Sequence, residues 1–213
     1  FPIMAKMQDD LPRLKSVYLK IINYLSSINF PIYILMVALA NSLVPMLLGE
    51  KWIDAIELFQ ILSIYALIRS TMSPAGSLLL ARGRADIGFW WSIGEFSLMP
   101  LIIYIGSHWG LVGVSLSLVV FQALFIFPNW YFIVKQLCNA SFSEYFYIQL
   151  QPMTATLISV SFGYVFINLI EFNNTLEVII FVFVSIGLYL IISNWLNKGF
   201  IKEIQNIFNK GVS

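Results

Sequence analysis

Two residues of opposite charge, Arg69 and Glu95, lie within long apolar stretches of the sequence. A charge at the centre of a membrane helix costs at least about 2.5–3.5 kcal/mol, so such a residue usually faces the protein interior and has a partner. A guanidinium group suits phosphate because its planar donors bind two oxygens at once. A carboxyl group removed from water can take up a proton, as ion coupling requires. Arg69 is therefore a candidate substrate-binding residue, and Glu95 a candidate ion-coupling residue.

The position of Arg69 leaves three interpretations open. It could form a buried ion pair with Glu95 that only stabilises packing, it could bind an anionic head group, or its side chain could extend to water. Arg69 lies about 12 residues, or about 18 Å, from the end of its predicted helix, and Glu95 lies about 12 Å from the same side. A short turn joins the two helices, so they are predicted to be antiparallel neighbours.

Two further arginines, Arg82 and Arg84, occupy the polar turn between these helices. They are either anchors at the membrane surface or substrate-binding residues that capture phosphate at the mouth of a cavity. The preceding segment, residues 73–76 (SPAG), should bend its helix, because proline lacks an N–H donor and clashes with the carbonyl one turn back. Trp90 or Trp91 could stack on a sugar ring.

The composition predicts an integral membrane protein of the all-α class. Hydrophobic residues make up 59% of the chain and charged residues only 11%, against about 25% charged in soluble domains. The mean hydropathy is +0.83. The sequence lacks a basic face, so no nucleic-acid partner is expected. Cys138 and His108 are each the single residue of their type, and we predict no catalytic residue, metal or cofactor.

Six apolar segments are long enough to cross a bilayer as helices. They are residues 21–48, 56–81, 87–105, 111–134, 152–170 and 178–196. The predicted organisation is an amphipathic cytoplasmic lead-in (1–20), four transmembrane helices (21–134), a cytoplasmic connection (135–151), two additional helices (152–196) and an amphipathic cytoplasmic tail (197–213). The helix within the lead-in should begin after Asp10 as N-cap, with Pro12 in the first turn, although the lead-in could simply be the wet end of the next helix.

The distribution of cations predicts the orientation. Excess Lys and Arg mark the cytoplasmic side of a membrane protein. One side would carry Lys6, Arg13, Lys15, Lys20, Arg82, Arg84, Lys135, Lys198, Lys202 and Lys210, and the other only Lys51. Both termini of this segment are therefore predicted to be cytoplasmic.

Several strings of the sequence are informative together. They are FPIMAKMQDD at residues 1–10, NFP at 29–31, LLGEKW at 47–52, SPAGSLLLARGRAD at 73–86 and WGLVGV at 109–114. In this order and spacing the chain resembles polysaccharide transporters of the MOP flippase superfamily, most closely the lipopolysaccharide-biosynthesis and colanic-acid-exporter branch. The resemblance is strongest up to about Arg84.

The resemblance implies two six-helix lobes around a central cavity, followed by two helices. This chain then corresponds to the C-terminal part, with four helices of the second lobe plus the extra pair. That assignment agrees with a sequence that starts without methionine or a signal peptide. The implied function is to move an undecaprenyl-pyrophosphate-linked glycan across the bacterial inner membrane by alternating access, driven by an ion gradient and without covalent catalysis. Membrane lipids and other polysaccharide-assembly proteins are the implied partners.

Two alternatives stay open. One is a noncatalytic membrane scaffold of a glycan-assembly complex, which would not require a charge such as Arg69 within a helix. The other is a membrane glycan polymerase or ligase. Such enzymes generally carry a sizeable outer loop with reactive groups, whereas the predicted outer turns here are only a few residues long.

Overall fold

The computed structural model describes Met4, Met7 and residues 10–168, 174–197 and 199–201, with the backbone alone for residues 166–168 and 174–177. Within this part of the chain every regular element is a helix. The α-helices are α1 (Leu11–Ala38), α2 (Ala40–Leu48), α3 (Ile56–Met72), α4 (Pro74–Ala81), α5 (Ala85–Ser107), α6 (Gly110–Asn129), α7 (Lys135–Cys138), α8 (Phe142–Asn168) and α9 (Asn174–Leu196). A 3-10 helix (Glu50–Ala55) precedes α3, and a π-helix (Trp130–Val134) joins α6 to α7. The all-α prediction is confirmed.

Helix α1 begins as the sequence predicts. Asp10 is the N-cap, its side chain accepts a 3.1 Å hydrogen bond from the backbone N–H of Arg13, and a proline occupies the first turn. The helix then continues without a break through Pro31 to Ala38. Residues 11–20 are thus the start of a long helix, which favours the simpler interpretation of the lead-in. The predicted first span, 21–48, is divided at Leu39 rather than running unbroken.

A single residue, Ser73, separates α3 from α4. Its dihedral angles stay helical (φ −53°, ψ −39°), and Pro74 is the first residue of α4. Because Pro74 has no N–H, the helical hydrogen bond to the carbonyl of Ser70 is lost. The predicted span 56–81 is therefore two helical segments of 17 and 8 residues.

Four helices of the described residues are long and apolar enough to cross a membrane: Leu11–Ala38, Ala85–Ser107, Gly110–Cys138 and Val178–Leu196. They overlap four of the six predicted spans. Segment 56–81 is divided at Ser73, and segment 152–170 extends beyond the described residues. The polytopic helical character is thus supported, whereas the number six stays a prediction.

The main apolar core joins α1, α4, α8 and the π-helix at one end of the molecule. Tyr18 of α1 and Tyr145 of α8 are fully buried there. The core also contains Leu14, Ile22, Ala75, Leu78, Leu79, Ala81, Ile133, Val134 and Leu137. This cluster fixes the ends of the helices that surround the candidate site.

Polar side chains connect the last two helices to α1. The hydroxyl of Tyr189 donates a 2.8 Å hydrogen bond to the carbonyl of Ser27, and Nδ2 of Asn197 donates to Oγ of Ser27 at 2.7 Å. Nδ2 of Asn23 donates to the carbonyl of Ile148 in α8 at 3.3 Å. Hydrogen bonds of this kind stabilise helix association in membranes, so α8 and α9 are attached to α1 at specific positions.

Helices α5 and α6 form a closely packed hairpin. A Cβ atom on Gly106 of α5 would lie 2.8 Å from the carbonyl oxygen of Gly113 and would also collide with Oγ of Ser117. Glycine at both positions lets the two backbones approach closely, as is common in membrane helix pairs.

Several predictions fall on residues that the structure does not describe. Most of the amphipathic tail (197–213) lies outside the described residues. The same holds for four of the cations used to predict orientation: Lys6, Lys198, Lys202 and Lys210.

Candidate functional site

Arg69 of α3 and Glu95 of α5 are brought together as the sequence predicts. Nη1 of Arg69 lies 3.3 Å from Oε1 of Glu95. The Arg69 side chain is 53% exposed and that of Glu95 is 25% exposed. The ion pair is therefore accessible to solvent within the described part of the chain. This geometry disfavours the interpretation that it only stabilises a buried helix contact.

Tyr65 holds the guanidinium from a second side. Its hydroxyl accepts a 2.8 Å hydrogen bond from Nη1 of Arg69, one helical turn away. The guanidinium carbon also lies 5.9 Å from the centre of the Tyr65 ring. Both hydrogen bonds use Nη1, so within the described part of the chain the Nε and Nη2 donors stay available to a ligand. Those two donors form the edge of the guanidinium that binds two phosphate oxygens at once.

Arg69 and Glu95 line a cavity of about 520 Å³. The walls come from α3, α4, α5, α6 and the π-helix, and the remaining lining residues are Met72, Ser73, Ala75, Gly76, Leu79, Leu80, Ala85, Gly88, Trp91, Ser92, Gln122, Asn129 and Ile133. The helix break at Ser73 is part of this wall, and its neighbours Ala75 and Gly76 are small. A volume of this size is typical of small-molecule and cofactor sites.

A second, more apolar groove of about 430 Å³ runs along α5 and α6. Trp91 and Glu95 line both the groove and the cavity. Trp91 is held there by a tilted, edge-on contact with Phe125, whose ring centre is 5.4 Å away. The Arg69–Glu95 pair thus lies in a cavity that adjoins a more apolar groove.

The two turn arginines are not among the cavity-lining residues. Arg84 forms an ion pair with Asp86, in which its Nε lies 2.9 Å from Oδ1 and its Nη2 lies 3.0 Å from Oδ2. This hydrogen bond raises the pKa of Arg84 above its ordinary value. Arg82 follows the last residue of α4 and has contacts of its own within the protein. Their role in phosphate capture stays a prediction.

Gln122 and Asn129 are cavity residues that the sequence analysis missed. Both are on α6, are 3% exposed and line the same cavity as Arg69. Their amides are uncharged, so they do not stand out in an apolar helix as a charge does. The available signal was their spacing of seven residues, about two helical turns, which places them on one face.

No group of three or more metal-ligating side chains occurs among the described residues. His108 is in the turn after α5, where its Nδ1 lies 3.0 Å from the carbonyl oxygen of Tyr104. Cys138 is buried, and its thiol donates to the carbonyl of Val134 at 3.2 Å. Both residues are thus engaged locally, away from the cavity.

The fold and the site together define a multi-pass helical membrane protein with a charged cavity. A model of the family described as "Polysaccharide biosynthesis protein" matches residues 1–57, which include α1 and α2. No solved structure was found to match the chain.

Curated relatives match over longer stretches. The chain is 33% identical to the lipopolysaccharide biosynthesis protein WzxC of Escherichia coli over 68% of its length, and 29% identical to the teichuronic acid biosynthesis protein TuaB of Bacillus subtilis over 76%. It is 27% identical over 74% of its length to an uncharacterized membrane protein in the cps region of Klebsiella pneumoniae. It covers 30%, 34% and 33% of these relatives, respectively, so it spans about a third of their length.

These similarities agree with the motifs quoted above. By these similarities the chain resembles the polysaccharide transporter family of the MOP flippase superfamily.

Proposed function

We propose that this chain is part of a transporter that moves lipid-linked oligosaccharide or polysaccharide across the bacterial inner membrane by alternating access. The chain would supply four helices of the second lobe and the two additional helices. A diphosphate-linked glycan, such as one on undecaprenyl pyrophosphate, is the proposed cargo. The names of the relatives support a role in polysaccharide biosynthesis, and the cavity supports an anionic ligand.

The observation that carries the proposal is the half-exposed guanidinium of Arg69 at the cavity wall. A charged group in the middle of a membrane protein is stable only beside water, a counter-charge or a polar ligand. Glu95 supplies one counter-charge through Nη1, and the Nε and Nη2 edge suits a phosphate group. A noncatalytic scaffold would not need this arrangement.

Glu95 is the proposed ion-coupling residue. Its carboxylate contacts Arg69 and is partly shielded from solvent. Proton or cation binding at Glu95 would release Arg69 for the ligand, and one elementary charge moving through the membrane potential corresponds to about 2.3 kcal/mol per 100 mV. Loading of the cavity would thus be linked to the ion gradient.

Arg82 and Arg84 are proposed to contact phosphate at the cytoplasmic entrance, with both termini of this segment in the cytoplasm. Arg84 already pairs with Asp86, so a phosphate ligand would have to compete with that carboxylate. Membrane lipids and other polysaccharide-assembly proteins are the proposed partners.

A transport assay tests the proposal. The full-length protein is reconstituted into vesicles with a fluorescent undecaprenyl-pyrophosphate oligosaccharide, and the fraction that reaches the opposite leaflet is measured by quenching. We expect faster movement with an ion gradient than without one. Equal movement in vesicles with and without the protein would contradict the proposal.

A further inference from the structure

The cavity beside Arg69 contains a second polar group, formed by Gln122 and Asn129 on α6. Both side chains are more than nine-tenths buried and line the cavity. Nε2 of Gln122 donates to Sδ of Met72 at 2.7 Å. Within the described part of the chain, however, Oε1 of Gln122 and Oδ1 of Asn129 have no hydrogen-bond partner.

Unpartnered amide oxygens in a buried wall point to a ligand. Leaving a buried acceptor without a hydrogen bond costs free energy, and most buried polar groups in proteins are therefore satisfied. Water or a bound molecule in the cavity could supply the missing donors to these two oxygens. Hydroxyl groups are suitable donors, and a side-chain amide can also donate in return.

The backbone on both sides of Asn129 departs from a regular α-helix. Asn129 follows Pro128, which lacks an N–H donor, and directly precedes the π-helix Trp130–Val134. A widened helical turn of this type is frequent at functional sites. This irregular backbone occurs at the C-terminal end of α6, where Asn129 lines the cavity.

Trp91 adds an aromatic surface to the same cavity. Its ring is held by Phe125 and also contacts the main apolar core. A sugar ring has hydroxyl groups around its edge and apolar C–H groups on its faces. The two amides match the edge of such a ring, and the indole matches a face.

We propose that Gln122, Asn129 and Trp91 form a carbohydrate subsite that binds the sugar nearest to the diphosphate. This inference rests on the proposed function, because it assigns the glycan part of a ligand whose phosphate part is assigned to Arg69. The subsite recognises hydroxyl groups, whereas Arg69 recognises charge.

Binding of two probes to the full-length protein in lipid nanodiscs tests the subsite. One probe is undecaprenyl diphosphate, and the other is undecaprenyl diphosphate that carries a single hexose. Gln122→Leu and Asn129→Leu should each weaken binding of the hexose-bearing probe about three- to tenfold. They should leave the affinity for undecaprenyl diphosphate unchanged.

Two further variants make the comparison specific. Gln122→Met keeps the side-chain length and removes only the amide, so it separates loss of the amide from loss of packing. Ser115→Ala is the matched control, because Ser115 is buried on the same helix and its hydroxyl already donates to the carbonyl of Leu111 at 3.0 Å. We expect Gln122→Met to behave like Gln122→Leu, and Ser115→Ala to bind both probes as the wild type does.

The outcomes distinguish the subsite from the proposed function. If the wild type binds both probes and the amide variants weaken neither, or weaken both equally, the carbohydrate subsite is wrong while the proposed function stands. If the wild type binds neither probe, the proposed function fails and the subsite fails with it. Arg69→Gln should weaken both probes, since both contain the diphosphate.

Discussion

The hydroxyl of Tyr65 and Nη1 of Arg69 are 2.8 Å apart on successive turns of α3. The same nitrogen lies 3.3 Å from Oε1 of Glu95. The guanidinium is thus held on one side by its own helix and on the other by α5, which fixes the direction of its remaining donors.

Tyr65→Phe should reduce transport by the full-length protein about threefold to tenfold without reducing its amount in the membrane. The substitution keeps the ring and removes only the acceptor for Arg69, and a hydrogen bond of this kind contributes roughly 0.5–1.5 kcal/mol. Initial flipping rates in vesicles measure the effect. Wild-type rates would show that Tyr65 does not position Arg69.

Arg69→Ala should abolish export, because Glu95, the other member of the ion pair, is an anion and cannot bind phosphate. Arg69→Lys should retain only part of the activity, since an ammonium group cannot bind two oxygens with a planar fork. Surface glycan in a deletion strain measures export, and immunoblots of membranes verify insertion. Lys51→Ala, at an exposed cation in the 3-10 helix, is the control. Full complementation by Arg69→Ala would remove this residue from the mechanism.

Glu95→Gln should leave the fold intact and change the dependence of transport on the ion gradient. Glutamine keeps the shape of the side chain and cannot take up a proton or carry a negative charge. Transport is measured with imposed proton and sodium gradients. A gradient dependence identical to that of the wild type would reject the coupling role of Glu95.

Glu144→Gln should lower thermal stability at neutral pH, and the difference from the wild type should disappear in acid. The hydrogen bond from Lys15 (2.7 Å), followed by those from Ser141, lowers the pKa of Glu144 from 4.5 to about 2. Because the folded-state pKa is the lower one, the stabilisation is present above about pH 4.5 and is lost as the pH falls towards 2. Unfolding midpoints between pH 7 and pH 2 measure the effect.

The control for Glu144 is Glu57→Gln, at an exposed carboxylate near the start of α3. It should show no comparable pH-dependent difference from the wild type. A constant destabilisation by Glu144→Gln across the whole pH range would indicate a packing effect instead of the loss of the ion pair.

Gly106→Ala should destabilise the α5–α6 hairpin by about 1–3 kcal/mol, because the added methyl group collides with backbone atoms of α6. Gly94→Ala is the matched control on the same helix, since a Cβ atom there meets nothing within 4 Å. We expect Gly94→Ala to be neutral or stabilising by up to about 1 kcal/mol. Thermal unfolding in detergent compares the two. Similar midpoints for both would contradict the close packing.

Sequence patterns predicted the features that depend on local chemistry. Asp10 caps α1 because its side chain is next to the free N–H groups of the first turn, and this needs no tertiary contact. Arg69 and Glu95 could be paired because only a short turn separates their predicted helices in the sequence and charges are rare in apolar segments. The break at Ser73 follows from the covalent structure of Pro74.

Features that depend on long-range packing were not predictable in the same way. Lys15 and Glu144 are 129 residues apart, and only the packing of α1 against α8 brings them together. The division of the first span at Leu39 has no proline or glycine to mark it. Gln122 and Asn129 are identified as cavity residues only when the neighbouring helices are in place.

The lack of space between Gly106 and Gly113 has a mechanical consequence. Glu95 is on α5 of this hairpin and Gln122 is on α6. Because the two backbones are in close contact, a tilt of one helix should displace the other. In the proposed transport cycle we therefore expect the hairpin to move as one unit, and a change in the width of the cavity to occur at the border between α4 and α5, next to the helical hydrogen bond that is missing at Pro74.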